Sequence, residues 1–213
     1  VEEQLDIFKP IVKWNTRVSS VAEIPGAIHE AFKQMTTGRP RPVEIEVPWD
    51  VLAATADAEL PEREVFPKQG PDPAMIKETA QLLANARRPM IWAGGGAREA
   101  DLSAELTLLA ETLKAPVITT PEGKGAISED HPLSLGGYYY GHGPGRRSLP
   151  QADVILVVGS RLHLTPPQPW DLQPHQKIIQ IDADPQEVGR NFQLAVGITA
   201  DGKLGLQALL EEL

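Results

Sequence analysis

Apolar residues spaced three and four positions apart predict four amphipathic helices in this chain. The helices are expected from Glu23 to near Gly38, from Asp72 to Leu83, from just after Gly96 to Leu113, and from Asp201 to Leu213. Two of them begin with a residue that favours a helix start: Asp72 stands at a capping position before a proline, and Asp201 precedes the last helix.

Short apolar or alternating segments predict five β-strands between these helices. Val43–Val47 alternates apolar and polar residues, as a strand with one buried face does. Asp153–Val158 and Lys177–Asp182 are nearly continuous apolar runs, typical of parallel strands covered on both faces. Further strands are expected at residues 89–93 and 116–120. The alternation of strands and helices after residue 72 predicts an α/β fold with a doubly wound, mostly parallel sheet and helices on both faces.

Residues 57–71 separate the chain into two parts. This segment contains three prolines and a glycine and has no hydrophobic period, so we interpret it as a linker. The front part, residues 1–56, is too short for a self-sufficient core, whereas the rear part, residues 72–213, is long enough for one. We therefore expect a complete rear domain preceded by the tail of another domain.

Composition excludes several classes of protein. Of the 213 residues, 41% are hydrophobic and 23% are charged, which is ordinary for a globular chain. No apolar stretch approaches the roughly 20 residues of a membrane span, and the acidic start lacks the features of a secretion signal. The chain has no cysteine, and its formal charge of −9 argues against a nucleic-acid partner. A small molecule is the expected ligand class.

A run of three glycines, Gly94–Gly96, follows a predicted strand and precedes a predicted helix. Backbone N–H groups at such a position are able to hold a phosphate, although a tight turn explains the glycines equally well. Glu99 stands where the dinucleotide fingerprint requires Gly or Ala, which disfavours an NAD site. Gly123-Lys124-Gly125 also fails the Walker pattern, since Ile118 occupies the position of its leading glycine.

Two further groups of polar residues follow predicted strands at the carboxyl edge of the sheet. Gly159-Ser160-Arg161 offers an arginine for a phosphate or carboxylate, or for a structural ion pair with Asp182 or Asp184. Asp182 is able to accept hydrogen bonds from ribose hydroxyls, whereas Asp184-Pro185 is expected to cap a following helix.

Histidine and serine chemistry has little support. The five histidines show no metal-ligand spacing, and Ser160 lacks a glycine elbow and evident triad partners. His142 stands between two glycines, where a plain loop histidine remains the simpler interpretation.

Together these segments resemble the thiamine-diphosphate-dependent enzymes of the acetolactate synthase type. The front part resembles the end of their pyrimidine-binding domain and the rear part their central domain. Flavin-binding members often have arginine where this chain has Lys9. The motifs that carry the resemblance are Phe8–Asn15, Thr37–Val43, Val47–Val51, Arg88–Pro89, Gly94–Gly96, Thr119–Thr120, Gly123–Gly125, Glu129–Pro132, Gly141–Gly143, Asp153–Arg161, Ile181–Pro185 and Ala200–Asp201.

The resemblance implies a nucleotide site and an activity. The central domain of such enzymes carries FAD, ADP or no nucleotide. The implied lining residues are Gly94, Gly95, Gly96, Thr120, His142, Gly143, Gly159, Ser160, Arg161, Asp182 and Asp201. The parent activity would be carboligation or decarboxylation of 2-oxo acids with thiamine diphosphate and Mg²⁺. Those two cofactors would bind in missing N- and C-terminal domains, so this chain alone is expected to be non-catalytic.

The resemblance further implies a cytoplasmic homodimer or homotetramer. Two alternatives stay open at this point: a stand-alone nucleotide-binding module, and a purely structural domain that joins two catalytic domains.

Overall fold

The computed structural model describes residues 3–137, 143–163 and 172–213, and the chain forms two compact units, Val1–Lys68 and Gln69–Leu213. Residues 54–72 have no regular secondary structure. Within this segment, Gln69 is tied to the second unit, since its carbonyl accepts a hydrogen bond from the N–H of Asp201 and its side chain donates to the carbonyl of Thr199. The segment predicted as a linker thus contributes residues to both units.

The first unit is a small α/β arrangement around a two-stranded parallel sheet. Strand β1 (Trp14–Arg17) pairs with β2 (Val43–Glu46), and the ion pair between Arg17 and Glu46 joins two residues that face each other in this register, at 2.9 Å. Among the residues described from position 3 to position 68, three hydrophobic ones are buried, namely Val18, Ala31 and Val51. The elements are α1 (Gln4–Phe8), β1 (Trp14–Arg17), a 3₁₀ turn (Val21–Glu23), α2 (Ile24–Thr36), β2 (Val43–Glu46) and α3 (Trp49–Ala53).

A lysine closes the carboxyl end of α2. The ammonium of Lys13 donates to the carbonyls of Gln34, Thr37 and Arg39 at 2.7, 2.5 and 3.3 Å. The last carbonyls of a helix have no partner within the helix, and a positive charge beside them also interacts favourably with the helix dipole. Lys13 therefore fixes where α2 ends and how the chain continues toward β2.

The second unit is a doubly wound parallel sheet, which confirms the predicted fold class. All five strand pairs are parallel. The strand order is β5-β4-β3-β6-β7-β8, where β3 is Pro89–Ala93, β4 Val117–Thr119, β5 Ser134–Gly137, β6 Val154–Val158, β7 Lys177–Asp182 and β8 Val196–Thr199. Each described helix in this unit falls short of the length and apolar character of a bilayer span, as do those of the first unit. The elements are α4 (Pro73–Ala84), β3 (Pro89–Ala93), α5 (Gly95–Glu99), α6 (Ser103–Leu113), β4 (Val117–Thr119), β5 (Ser134–Gly137), α7 (Pro144–Ser148), a 3₁₀ turn (Leu149–Gln151), β6 (Val154–Val158), β7 (Lys177–Asp182), β8 (Val196–Thr199) and α8 (Gly202–Glu212).

Both faces of this sheet are buried, which explains the continuous apolar runs in its strands. On one face, Ile91, Leu156 and Ile179 pack with residues of α4, α6 and α8. On the other face, Trp92 and Ile155 belong to one buried cluster with Leu149, Ala152 and Leu162. The two clusters alternate along each central strand, as the two-residue repeat of a β-strand requires.

Asp153 joins the starts of β3 and β6 at the amino edge of the sheet. Its carboxylate accepts hydrogen bonds from the backbone N–H groups of Arg87 and Arg88 at 2.8 and 3.0 Å. Burial opposes ionisation of this carboxyl, but the backbone hydrogen bonds outweigh burial and hold the pKa of Asp153 below its ordinary value.

One predicted helix is two helices in the structure. The chain between α5 and α6 turns at Asp101, whose φ of 51° is left-handed, and Leu102 is fully buried there. The ammonium of Lys203 binds the carbonyl of Asp101 at 2.9 Å, so a tertiary contact supplies a partner at the break. The spacing of leucines could not reveal this interruption, because α5 and α6 both face the same core.

The helix predicted after Asp184 does not form. Asp184 does accept a hydrogen bond from the N–H of Gln186 at 3.0 Å, as a capping residue would, but residues 185–189 form turns. Three strands, β1, β5 and β8, were not predicted; they are short and contain polar residues or glycine.

Candidate ligand site at the carboxyl edge of the sheet

The strand order reverses between β3 and β6, and the loops that contain Gly94–Gly96 and Gly159–Arg161 begin beside this point. From β3 the chain proceeds to β4 and β5 on one side, and then returns to place β6 on the other side of β3. In open α/β sheets, ligands bind in the crevice outside the carboxyl ends of the strands at such a reversal. The loops after β3 and β6 begin with Gly94 and Gly159, two of the predicted residues.

These two loops are in direct backbone contact. The N–H of Gly94 donates to the carbonyl of Val158 at 2.9 Å, and the N–H of Gly96 donates to the carbonyl of Gly159 at 3.0 Å. A Cβ added to Gly94 would overlap the Gly159 carbonyl and Ser160. The glycines therefore permit the two loops to pack against each other, and the Gly96 N–H is already used within the protein.

The loop after β4 completes this contact. The N–H of Thr120 donates to the carbonyl of Ala93 at 2.9 Å, and the hydroxyl of Thr120 accepts from the N–H of Gly123 at 3.0 Å. A Cβ at Gly123 would overlap the Ala93 carbonyl, and one at Gly95 would lie 3.0 Å from the Cβ of Glu122. The structure thus places Thr120 and the glycine triplet side by side.

Ser160 and Arg161 lie on the turn after β6. The Ser160 hydroxyl is mostly buried and accepts a hydrogen bond from the N–H of Leu162 at 3.3 Å. Arg161 is exposed, and within the described residues no ion pair joins its guanidinium to Asp182 or Asp184, the structural alternative considered for it. Arg161 therefore presents an exposed positive charge at the carboxyl edge of the sheet.

The two aspartates differ in role. Asp182 ends β7, next to β6, and the residue is 9% exposed; its carboxylate accepts a hydrogen bond from the N–H of Asp184 at 3.0 Å. Asp201 caps α8, because its carboxylate accepts from the N–H groups of Lys203 and Leu204, both at 3.1 Å. The capping interpretation accounts for Asp201 without a ligand.

The remaining predicted residues follow β5. Gly143 precedes α7 with a φ of 101°, a backbone conformation that favours glycine. His142 lies outside the described residues. Among the residues that the structure describes, no group of three or more His, Asp or Glu side chains is placed to hold a metal ion.

Sequence reasoning missed two side chains at this edge, Gln180 and Asn191. Gln180 donates to the carbonyl of Ser160 at 3.2 Å, and Asn191 donates to the carbonyl of Arg161 at 2.7 Å. A signal for Gln180 was present, because glutamine interrupts the apolar run Ile178-Ile179-Gln180-Ile181 and a buried polar group needs a partner. No pattern in the sequence points to Asn191.

This geometry defines a doubly wound α/β domain with polar side chains at the carboxyl edge of its sheet. More particularly, the chain belongs to the thiamine pyrophosphate enzyme family, whose central-domain model matches residues 76–209. The resemblance to thiamine-diphosphate enzymes of the acetolactate synthase type is thereby confirmed.

Curated relatives cover almost the whole chain. A probable acetolactate synthase large subunit of Methanocaldococcus jannaschii is 38% identical over 99% of this chain and 37% of its own length. A glyoxylate carboligase of Escherichia coli O157:H7 is 34% identical over 96% of this chain and 34% of its own length. The chain spans little more than a third of the length of these relatives.

A solved structure agrees with the fold. The crystal structure of benzoylformate decarboxylase from Polynucleobacter necessarius matches 96% of this chain and 39% of its own, with a TM-score of 0.83 and 27% identity.

Proposed function

We propose that this chain is the central part of a thiamine-diphosphate- and Mg²⁺-dependent enzyme that joins or decarboxylates 2-oxo acids, as acetolactate synthase does. The observation that carries the proposal is the 38% identity over 99% of the chain to an acetolactate synthase large subunit, since this match spans both units. The thiamine diphosphate and Mg²⁺ sites are assigned to parts of the protein outside residues 1–213.

We also propose that further domains and a second subunit of this cytoplasmic enzyme contact the first unit. This unit exposes apolar side chains, including Phe32 at 58% and Trp49 at 82% of their surface. Transfer of such surface from water is favourable, by about 25 cal/mol per Å². Contact with additional protein, in a homodimer or homotetramer, would provide this burial.

Within the second unit, we propose that the carboxyl edge of the sheet binds FAD or ADP. The Arg161 guanidinium would pair with a phosphate, the Asp182 carboxylate would accept from a ribose hydroxyl, and the Ser160 hydroxyl would offer one more polar contact. ADP brings binding energy alone to such a site, whereas FAD also brings a redox-active ring. The support is the position of these side chains at the reversal between β3 and β6.

A purely structural role is the second candidate, and one observation favours it. The N–H groups of Gly94 and Gly96 already donate to Val158 and Gly159, so neither is free to bind a phosphate without rearrangement. In this alternative the glycine turn only packs the two loops together, and the edge holds no nucleotide.

Calorimetric titration of the purified chain with ADP and with FAD separates the two candidates. Nucleotide binding predicts a micromolar dissociation constant, which Arg161→Ala should weaken about tenfold because a charge-assisted hydrogen bond is lost. Arg87→Ala is the matched control, since Arg87 is also exposed but lies at the amino edge of the sheet. If the wild-type chain binds neither nucleotide, the purely structural role is favoured.

Activity is tested separately with thiamine diphosphate, Mg²⁺ and pyruvate. The chain alone should show no turnover, and turnover above background would contradict the assignment of the catalytic groups to other parts of the protein.

A further inference from the structure

Gln180 is a polar residue in the middle of a buried strand. Its neighbours in β7 pack into the two hydrophobic clusters, while Gln180 itself is 3% exposed. Burial of an amide without hydrogen bonds is unfavourable by about 1–3 kcal/mol, so its retention calls for specific partners.

Three backbone groups provide those partners. The amide nitrogen of Gln180 donates to the carbonyls of Ser160 and Glu187 at 3.2 and 3.1 Å, and its oxygen accepts from the N–H of Gly189 at 2.9 Å. Since carbonyls only accept and N–H groups only donate, these partners fix the orientation of the amide. One buried side chain thus connects the turn after β6 with the loop after β7.

Asn191 makes a second connection between the same two segments. Its side-chain nitrogen donates to the carbonyl of Arg161 at 2.7 Å. Consecutive carbonyls, those of Ser160 and Arg161, are therefore each held by an amide side chain. Both connections restrain the backbone from which the Arg161 side chain extends.

The restrained turn has an uncommon backbone conformation. Leu162 has a φ of 46° and is 3% exposed. A left-handed conformation is unfavourable for leucine by about 1–2 kcal/mol, and it persists where surrounding contacts determine the backbone. The bonds from Gln180 and Asn191, with that from the Leu162 N–H to Ser160, are contacts of this kind.

We propose that Gln180 and Asn191 are positioning residues that hold the Ser160–Arg161 backbone and so direct the Arg161 guanidinium to the ligand edge. This inference rests on the proposed nucleotide site for its functional meaning. Neither side chain needs to touch the nucleotide, because each acts through the main chain of the turn.

Asn191→Ala and Asn85→Ala form a matched pair that tests the inference in the full chain. Asn85 is also exposed and also donates to a backbone carbonyl at 2.7 Å, that of Gln81 at the end of α4. We expect Asn191→Ala to speed hydrogen exchange of the Leu162 amide and to weaken ADP binding, each about fivefold, as the loss of one hydrogen bond predicts. Asn85→Ala should lower the melting temperature about as much as Asn191→Ala does, but it should change neither the exchange rate of the Leu162 amide nor the affinity for ADP.

Gln180→Leu is the stronger variant, because it keeps the side-chain volume and removes three bonds. It should increase exchange at both Leu162 and Gly189 and weaken ADP binding about tenfold or more. Circular dichroism of Gln180→Leu shows whether it folds, and Asn191→Ala carries the test if it does not.

The outcomes distinguish this inference from the proposed function. Wild-type chain that binds neither ADP nor FAD overturns the nucleotide site, and exchange at Leu162 then decides whether the two amides restrain the turn. If Arg161→Ala weakens ADP binding while Asn191→Ala and Gln180→Leu bind like wild type, the nucleotide site stands and the positioning role is wrong. Exchange at Leu162 that is equal in Asn191→Ala and Asn85→Ala also overturns it.

Discussion

The contact between the loops after β3 and β6 predicts a large effect of Gly159→Ala. Gly159 has a φ of 57°, and a Cβ added there would overlap the backbone of Ala97 and Gly96. The overlapping atoms belong to the main chain, so a change of side-chain rotamer cannot relieve the clash. One of the two loops has to move.

Two contributions determine the expected loss of stability. The left-handed conformation is unfavourable for alanine by about 1 kcal/mol. Displacement of a packed backbone adds about 1–3 kcal/mol. We therefore expect Gly159→Ala to lower the free energy of unfolding of the second unit by about 3 kcal/mol in total.

Gly125→Ala isolates the conformational contribution. Gly125 also has a positive φ, 91°, but in the described part of the chain no atom lies within 4 Å of its added Cβ. This control should lose only the conformational contribution, about 1 kcal/mol. Gly94→Ala tests the steric contribution alone, since the φ of Gly94, −99°, is ordinary for alanine and the added Cβ would overlap the Gly159 loop.

Urea unfolding followed by pulsed hydrogen exchange of residues 154–158 measures the second unit alone, because this peptide is β6. The reasoning predicts that Gly159→Ala unfolds at clearly lower urea than Gly125→Ala, with Gly94→Ala also destabilised. If Gly159→Ala and Gly125→Ala have the same midpoint, the loops are not held together as the backbone contacts indicate.

Two further substitutions test contacts outside the ligand edge. Asp153→Asn should destabilise the second unit by about 2 kcal/mol at pH 7, since the carboxylate accepts two backbone N–H groups. The folded pKa of Asp153 is lowered, so its stabilisation is present above the unfolded pKa and is lost as pH falls through the folded pKa. The urea midpoints of the two proteins should therefore converge once the pH lies below the folded pKa of Asp153. Lys13→Met should destabilise the first unit by about 1–3 kcal/mol through the loss of three carbonyl contacts, measured as faster exchange at the end of α2, and unchanged exchange there would contradict the role assigned to Lys13.

Hydrophobic patterning predicted the elements whose identity is set by burial on the sheet. The observed strands Pro89–Ala93 and Lys177–Asp182 have the predicted bounds, and Val154–Val158 differs by one residue. These strands lie in the interior of the sheet, so most of their side chains are apolar, and the interior position Gln180 is the exception within them.

Strands whose residue types are set by contacts with other segments were not predicted. Strand β8, Val196–Thr199, contains Gly197, where an added Cβ would lie 2.7 Å from the side chain of Val188. Gly197 therefore leaves room for the Val188 side chain of the loop that packs on β8, although glycine is unfavourable in strands. Only the folded arrangement reveals why this residue type stands there.

At the candidate site, too, some residues could be predicted from local sequence patterns and others depend on tertiary contacts. Positions at strand ends, such as Arg161 and Asp182, follow from strand assignment and the rule that ligands bind at the carboxyl edge. The role of Asn191 depends on a contact across 30 positions of sequence, which no local pattern encodes.

The glycines of the ligand edge have an explanation that does not involve a ligand. The sequence does not distinguish a glycine that leaves room for a phosphate from one that leaves room for another loop. The structure distinguishes them by the atom that an added Cβ would contact. At Gly94 and Gly159 that atom is protein backbone. The Arg161 side chain is exposed and has no such packing requirement, so Arg161, rather than the glycine triplet, carries the case for a nucleotide. If a nucleotide binds this edge, its affinity should therefore respond to substitution at Arg161 even in variants whose glycine loops are unchanged.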